Sequence, residues 1–578
     1  MPDVQIRKIG NGELGGKGAG FVRVQKLLAG TDKISFPKTV FITTSIFRDF
    51  VKFNNLEKII ADAESGKNED YEALKSAFLQ AKFSEAAKKE LTQILSEMTT
   101  PVAVRSSSLL EDQKGASFAG KYESVFVGNQ GNIEERQEEY LRAIKTVYAS
   151  TFNPNALTYR RKHDFIKDKE EMALLVQEIV GTAYRDYYLP ALAGVAFSQN
   201  GYCWNKEINK KDGLVRLVFG LGTRAVGRGY VCLFSPAKPL MRPEGTEVNN
   251  IQKCSQKKVD VIDLKENQFK SIHFRELVSD GFNCYPGSQA FVSLRDGNYL
   301  YRPVSNLWDA QHVPVLTMNG VLGGPWMGIN VSETIEWVLK ELESGLGFAV
   351  DIEFAVNIDP AGGNAALYLL QTRALSETEN RKPHPIPDLP SQDIIFTVHR
   401  NLPTAYVPDI DYLVYVDETQ YHDWPHNEKQ TVARVVGKLT EVLKGKRFAL
   451  VGPGRWGSWN PDLGVPVTYA EIANCVMLVE VARRKATYVP EVSFGSHFFQ
   501  DLIEDNIAYL PLYPDEPNEV FNEGIFSKKS DFQTLLQDPY YRKFDKLFKV
   551  IHVPTVADGR LAHAILNGEL EKAVVFIK

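Results

Sequence analysis

The sequence has little from which to build a covalent or zinc-stapled scaffold. Its five cysteines, Cys203, Cys232, Cys254, Cys284 and Cys475, are odd in number, widely spaced and never in a C-x-x-C pair. That pattern fits neither a disulfide framework nor a zinc site. No apolar run approaches the roughly 20 residues of a membrane span, so no membrane partner is expected. Positive charge is not in excess: 67 Lys and Arg stand against 72 Asp and Glu, a net charge of −5. This argues against a general nucleic-acid binder. The N-terminal MPDVQIRKIGNG has no apolar h-region, which makes the cytoplasm the expected compartment. The phosphate-loop spacing G-x-x-x-x-G-K-[ST] is also missing. What remains is an ordinary globular composition, 44% apolar and 24% charged, in 578 residues. A chain of that length is too long for one core and predicts two to four domains.

Three stretches carry chemistry. The first, IGNGELGGKGAGFVRVQKLL, runs from glycines into a helix marked by Phe21, Val24, Leu27 and Leu28. Gly15, Gly16 and Gly18 permit close backbone approach to a ligand, with Lys17 among them. A plain helix-capping loop would look the same. The second, VAVRSSSLLEDQKGASFAGKYESVFVG, predicts a buried strand ended by Arg105. Ser106, Ser107, Ser108, Glu111, Asp112 and Ser117 to Gly120 follow. Hydroxyls and small residues around one arginine suit a polyphosphate. The third is a predicted hairpin, with Asp351-Ile352-Glu353 outward and Gln371-Thr372-Arg373 on return. Alternation puts Asp351 and Glu353 on one face, and Gln371 and Arg373 on one face of the partner. Their oxygens suit Mg²⁺, and the guanidinium suits phosphate. An ordinary hairpin with a charged solvent face is the equal alternative.

Taken in order, G-G-K-G-A, V-R-S-S-S-x-x-E-D, S-F-A-G-x-Y-E-S and D-I-E-F-A…L-Q-T-R resemble the nucleotide-binding domain of the phosphoenolpyruvate synthase and pyruvate phosphate dikinase family. Rifampicin phosphotransferases share that domain. The resemblance implies an ATP-grasp fold over residues 1–375, with two lobes hinged near 177–195, and ATP and Mg²⁺ as ligands. It implies Lys17, Arg105 and Arg373 as catalytic phosphate contacts and Glu353 and Gln371 as metal ligands. Asp351 would complete the phosphate end. Ser117 to Gly120 would belong to a phosphate-covering loop, and Gln177, Glu178 and Ile179 would contact adenine. The Gly-Leu-Gly stretch departs from the family in carrying Thr223 where a glutamate is usual. Arg224 and Arg228 nearby are candidate phosphate contacts.

Residues 376–392 hold four prolines without periodicity and predict a linker. The family's swivelling phosphohistidine domain, with a G-G-x-T-[SC]-H-A motif, is not found in the sequence. Residues 393–578 instead predict a separate, smaller α/β domain with a partly parallel sheet. There, Gly454, Arg455, Trp456 and Ser458 follow a buried strand, as a candidate acceptor or anion site or as a structural aromatic-glycine loop. His497, after Gly495-Ser496 and one helical turn before Asp501, is a candidate phosphoryl relay or general base, or else a structural histidine. The expectation is therefore an α/β (α+β) Mg·ATP-dependent phosphotransferase, its acceptor a small molecule or a protein group. A non-catalytic ATP-binding signalling or scaffold protein stays open, as does a subunit working with a separate phosphohistidine domain.

Overall fold

The computed structural model describes residues 6–67, 70–111, 120–167, 170–200, 204–205, 207–226, 230–278, 285–304, 312–359, 363–375, 383–399, 402–458, 460–483, 493, 498, 502, 505–568 and 570–578. It is a mixed α/β chain of two compact units: described residues up to Leu375 build the first, and those beyond build the second.

The first unit contains a five-stranded sheet in the order Arg7–Ile9, Thr39–Ile42, Met172–Glu178, Val102–Ser108, Ser124–Val127. The first pair is parallel and the others antiparallel. Met172–Glu178 lies inside this sheet with Met172 to Gln177 all buried, which is why MALLVQ reads as an unbroken apolar run ending in a glutamine. The VAVRSSS strand does not stop at Arg105. It pairs with Met172–Glu178 over seven residues, from Val102 opposite Glu178 to Ser108 opposite Met172. The serines stay in the strand because their hydroxyls find internal partners, as Ser107 Oγ does on the Leu14 carbonyl (2.7 Å).

A second five-stranded sheet runs Cys232–Phe234, Leu214–Val218, Leu192–Phe197, Val350–Ile358, Ala365–Ala374, antiparallel throughout. Ile352, Phe354, Val356, Leu367 and Leu369 join a core with Ile335, Val338, Leu339 and Leu342 of the helix Val331–Leu346. That helix is capped by the Asn330 side chain and stops at Gly347 in the left-handed conformation (φ 82°). Between Glu178 and Leu192 the chain passes from the first sheet to the second through the hairpin Thr182–Tyr184/Tyr187–Leu189. Ser35 also ties the two together: its N–H donates to Leu367 O (2.8 Å) and its carbonyl accepts from Leu369 N (2.9 Å).

The second unit packs two five-stranded sheets face to face. One has the order Ala508–Leu512, Met477–Val481, Phe448–Pro453, Tyr412–Val416, Phe548–His552, parallel except for its last member. Its strands alternate between two cores. Val414, Val416, Leu450 and Leu478 face the helices with Val432, Val436 and Leu439. Leu413, Tyr415, Val451 and Val479 face the other sheet with Phe396, Val407 and Val575. Burial on both faces accounts for the continuous apolar runs of LVYV and FALV.

Candidate functional site

The predicted hairpin forms with Asp351 directly opposite Arg373 and Glu353 opposite Gln371, and the register shifts by a bulge only after Glu353. Asp351 and Gln371 are buried. Arg373 donates from Nη2 to Glu353 Oε1 (2.9 Å) and holds Nε 3.7 Å from Asp351 Oδ1. From the other sheet, Arg105 reaches across to the same place. Its Nη2 donates to Glu353 Oε2 and to Gln371 Oε1 (2.7 Å), and its Nη1 to Gln177 Oε1 (3.3 Å). One guanidinium nitrogen thus touches two oxygens expected to ligate metal. Gln371 Nε2, by contrast, is buried with no hydrogen-bond partner among the described residues.

This donor set fits Mg²⁺ in a particular way. Among the described residues there is no cluster of three His, Cys, Asp or Glu placed to hold a metal. A site of one carboxylate and one amide suits an ion that keeps several waters and takes its other ligands from phosphate oxygens.

Lys17 sits at the other end of the arrangement, on the helix Gly15–Leu27. Its ammonium is buried, 2.9 Å from Glu111 Oε1 and 3.5 Å from Ser106 Oγ. Glu111 is itself fixed, accepting from Ser108 N (3.2 Å) and from Ser106 Oγ (3.3 Å). Ser107 Oγ accepts from Gly18 N (2.8 Å), so consecutive serines hold the helix, its lysine and the lysine's counter-charge. Glu111 stands in the V-R-S-S-S-x-x-E-D motif, and the sequence alone assigns it no role. No local signal could supply one, because the pair joins residues 94 positions apart (111 − 17).

Behind this strand end lies Glu170, buried, accepting from Leu109 N (3.0 Å) and Tyr122 Oη (2.9 Å). Burial raises its carboxyl from 4.5 to about 7, against the pull of Arg160 and these donors. The folded chain therefore holds this proton more tightly than the unfolded chain between about pH 4.5 and 7, and stability falls as pH rises through that window. Melting temperatures taken at pH 5 and pH 8 should differ less in Glu170→Gln than in the wild type. An equal difference in the two would assign the pH dependence elsewhere.

The expected adenine segment is placed at the end of Met172–Glu178. Gln177 turns its amide oxygen to Arg105 and its amide nitrogen to Thr39 Oγ1 (3.3 Å). The N–H groups of Glu178 and Ile179 donate to Lys38 O and Pro101 O, and the Ile179 carbonyl accepts from Tyr188 Oη. The Glu178 carboxyl is raised by burial, with Lys38 opposing. Any base reading here falls to the groups these bonds leave over. Gly120 is exposed and left-handed (φ 68°). Ser117 and Arg228 lie outside the described residues. Arg224 is held by Asp260 (Nε to Oδ1, 2.9 Å), which also accepts from Thr223 Oγ1 (2.6 Å). The threonine thus serves the arginine's anchor.

In the second unit, the stretch read either as an acceptor or anion site or as a structural aromatic-glycine loop is interior. Arg455, Trp456 and Ser458 are almost wholly buried. Gly454 (φ 57°) bridges to Gly464, and a Cβ on it would lie 2.0 Å from Leu463 O. Trp456 donates its backbone N–H to Glu480 Oε1 (3.0 Å) and its indole N–H to Val479 O (3.2 Å). Glu480 also accepts from Ser493 N (2.7 Å) and Tyr509 Oη (2.6 Å). Burial raises its carboxyl, with Arg455 among the opposing groups. The glycines here give close backbone packing, and the arginine and tryptophan build the core. His497 and Asp501 lie outside the described residues.

A family model described as pyruvate phosphate dikinase, AMP/ATP-binding domain, matches residues 11–393. Over 215 residues the chain is 28% identical to the uncharacterized phosphotransferase YvkC of Bacillus subtilis, covering 37% of this chain and 22% of that protein. It is 32% identical over 208 residues to a phosphoenolpyruvate synthase of Deinococcus radiodurans, 34% of this chain and 24% of that one. It is 28% identical over 223 residues to a rifampicin phosphotransferase of Streptomyces sviceus, 37% of this chain and 23% of that one. The matched stretches thus span less than a quarter of each of these curated relatives.

Proposed function

Because the chain belongs to the pyruvate phosphate dikinase AMP/ATP-binding domain family, we propose that residues 1–375 bind Mg·ATP. A phosphoryl group then passes to an acceptor bound or carried by residues 393–578, beyond the 376–392 linker. The observation that carries this reading is the convergence of Arg105, Glu353, Gln371 and Arg373 from two different sheets onto one point, with the oxygen pair bridged by a single donor. An ordinary charged hairpin has no reason to recruit a half-buried arginine from 248 residues upstream. In the proposed site Glu353 and Gln371 would hold Mg²⁺, which would supply positive charge to offset that of the phosphates. Lys17, Arg105 and Arg373 orient the polyphosphate and neutralise the charge that spreads over the transferring group. Asp351 keeps Arg373 aimed at the phosphates. Gln177, Glu178 and Ile179 line the base end.

The acceptor is a small molecule or a protein side chain, His497 among the candidates. The test uses ATP labelled separately at the β and γ positions, with the full chain and a panel of acceptors. Glu353→Ala should lower release of label at least about 100-fold, the scale of losing one transition-state contact. Equal release by wild type and variant would end the phosphotransferase reading. Label bound to the protein in acid-labile, base-stable form, and absent from His497→Ala, would assign the relay.

A further inference from the structure

Every oxygen the proposed metal would use already carries a guanidinium hydrogen. Glu353 Oε1 accepts from Arg373 (2.9 Å), Glu353 Oε2 from Arg105, and Gln371 Oε1 from the same Arg105 nitrogen (2.7 Å). These are not surface contacts. The side chains of Arg105, Glu353, Arg373 and Asp351 are 14%, 16%, 9% and 4% exposed. The four charges sum to zero: two guanidinium groups against two carboxylates. Mg²⁺ binds oxygen at about 2.1 Å, so an ion bridging Glu353 and Gln371 needs the space where Arg105 Nη2 stands.

A bare divalent ion therefore has to evict Arg105 from two acceptors. It then leaves a partly buried group of charges at +2, with the displaced guanidinium unpaired nearby. Uncompensated charge at such low exposure is costly. A metal carried on a polyphosphate meets neither obstacle. Its phosphate oxygens give Arg105 a new bidentate acceptor as the old one is taken, and they bring the negative charge that offsets the ion.

We propose that Arg105 is the specificity-determining residue that makes the Glu353–Gln371 oxygen pair accept a divalent cation only as its polyphosphate complex. The guanidinium occupies the metal position until phosphate draws it away. This rests on the nucleotide-site reading above and adds the form in which that site takes its ligand.

The experiment follows free Mn²⁺ by its electron paramagnetic resonance signal during titration of the full chain, with and without ATP. Without nucleotide, Arg105→Met should bind Mn²⁺ about tenfold or more tightly than wild type, since a neighbouring positive charge and the competing donor are both gone. The gained site should disappear in Arg105→Met/Glu353→Gln. With ATP present, wild type should bind Mn²⁺ tightly, and Glu353→Gln should weaken that binding. Arg105→Lys keeps the charge and should stay as weak for bare Mn²⁺ as wild type. Arg105→Met no tighter than wild type, with its far-ultraviolet circular dichroism unchanged, would overturn the proposal. Should Arg105→Met fail to fold, Arg105→Gln is held to the same criterion. The two readings fail differently: Mn²⁺·ATP binding indifferent to Glu353→Gln removes the nucleotide site itself, whereas binding that depends on Glu353 without the Arg105 gain removes only this inference.

Discussion

Lys17→Met should destabilise the first unit by about 3 kcal/mol and weaken ATP binding about 100-fold, and a second substitution should separate the two effects. The ammonium and the Glu111 carboxylate are 10% and 3% exposed and 2.9 Å apart. Removing one partner leaves a buried carboxylate with Ser106 Oγ and Ser108 N as its donors among the described residues, and breaking a buried pair costs about 3–5 kcal/mol, mostly through the stranded charge. Glu111→Gln added to Lys17→Met neutralises that charge while keeping an amide oxygen for the serine donors, so most of the stability should return. ATP affinity should not return, because the phosphate has still lost its cation. Denaturant unfolding of the full chain, reading the transition that ATP shifts, measures the first effect, and calorimetric titration with Mg·ATP measures the second. A Lys17→Met variant within about 1 kcal/mol of wild type would show that the pair is too hydrated to matter for folding. Affinity restored in the double variant would mean that Lys17 acts on nucleotide only through the fold.

The shared faces of the hairpin were legible because strand alternation is a local rule. Asp351, Glu353, Gln371 and Arg373 needed only the right register to meet, and the structure supplies it. The end of the Arg105 strand was not legible. Three serines look like a turn, and it takes Glu111 beyond them and the Leu14 carbonyl before the glycine-rich helix to satisfy the Ser106 and Ser107 hydroxyls inside. Glu111 was hidden for the same reason, since its partner comes from a different element. The GPGRWGS stretch stayed ambiguous for a more general reason. Glycines beside an arginine and a tryptophan at a strand end give the same sequence signature whether they admit a ligand or another piece of backbone. Here Gly454 admits the Leu463–Gly464 segment, and Trp456 fills the core behind it.

The glycine-rich start poses that same question, and substitution answers it glycine by glycine. Gly15→Ala should be among the most damaging single changes in the first unit. Gly15 has φ +72°, and a Cβ there would stand 1.7 Å from the Ser107 carbonyl oxygen and 2.5 Å from its carbon, both backbone atoms of the Val102–Ser108 strand. The left-handed conformation alone costs an alanine about 1–2 kcal/mol. Relief of the clash must push the helix off the strand, adding overpacking strain of about 1–3 kcal/mol. Lys17, two residues on, would move with it, so ATP affinity should fall as far as in Lys17→Met. Gly18 is an intermediate case, with the nearest atoms at 3.2–3.3 Å and a helical backbone. Gly20 is the control: it lies in the same helix, and a Cβ there would meet nothing within 4 Å. Gly20→Ala should leave ATP binding intact and stabilise the unit by about 0.5–1 kcal/mol, through helix propensity and a less mobile unfolded chain. Paired melting curves and Mg·ATP titrations of the two variants decide the matter. If Gly15→Ala and Gly20→Ala behave alike, the glycines serve only flexibility. If only Gly15→Ala collapses, at least one of them exists to let the lysine-bearing helix sit directly on the Ser106–Ser108 strand end.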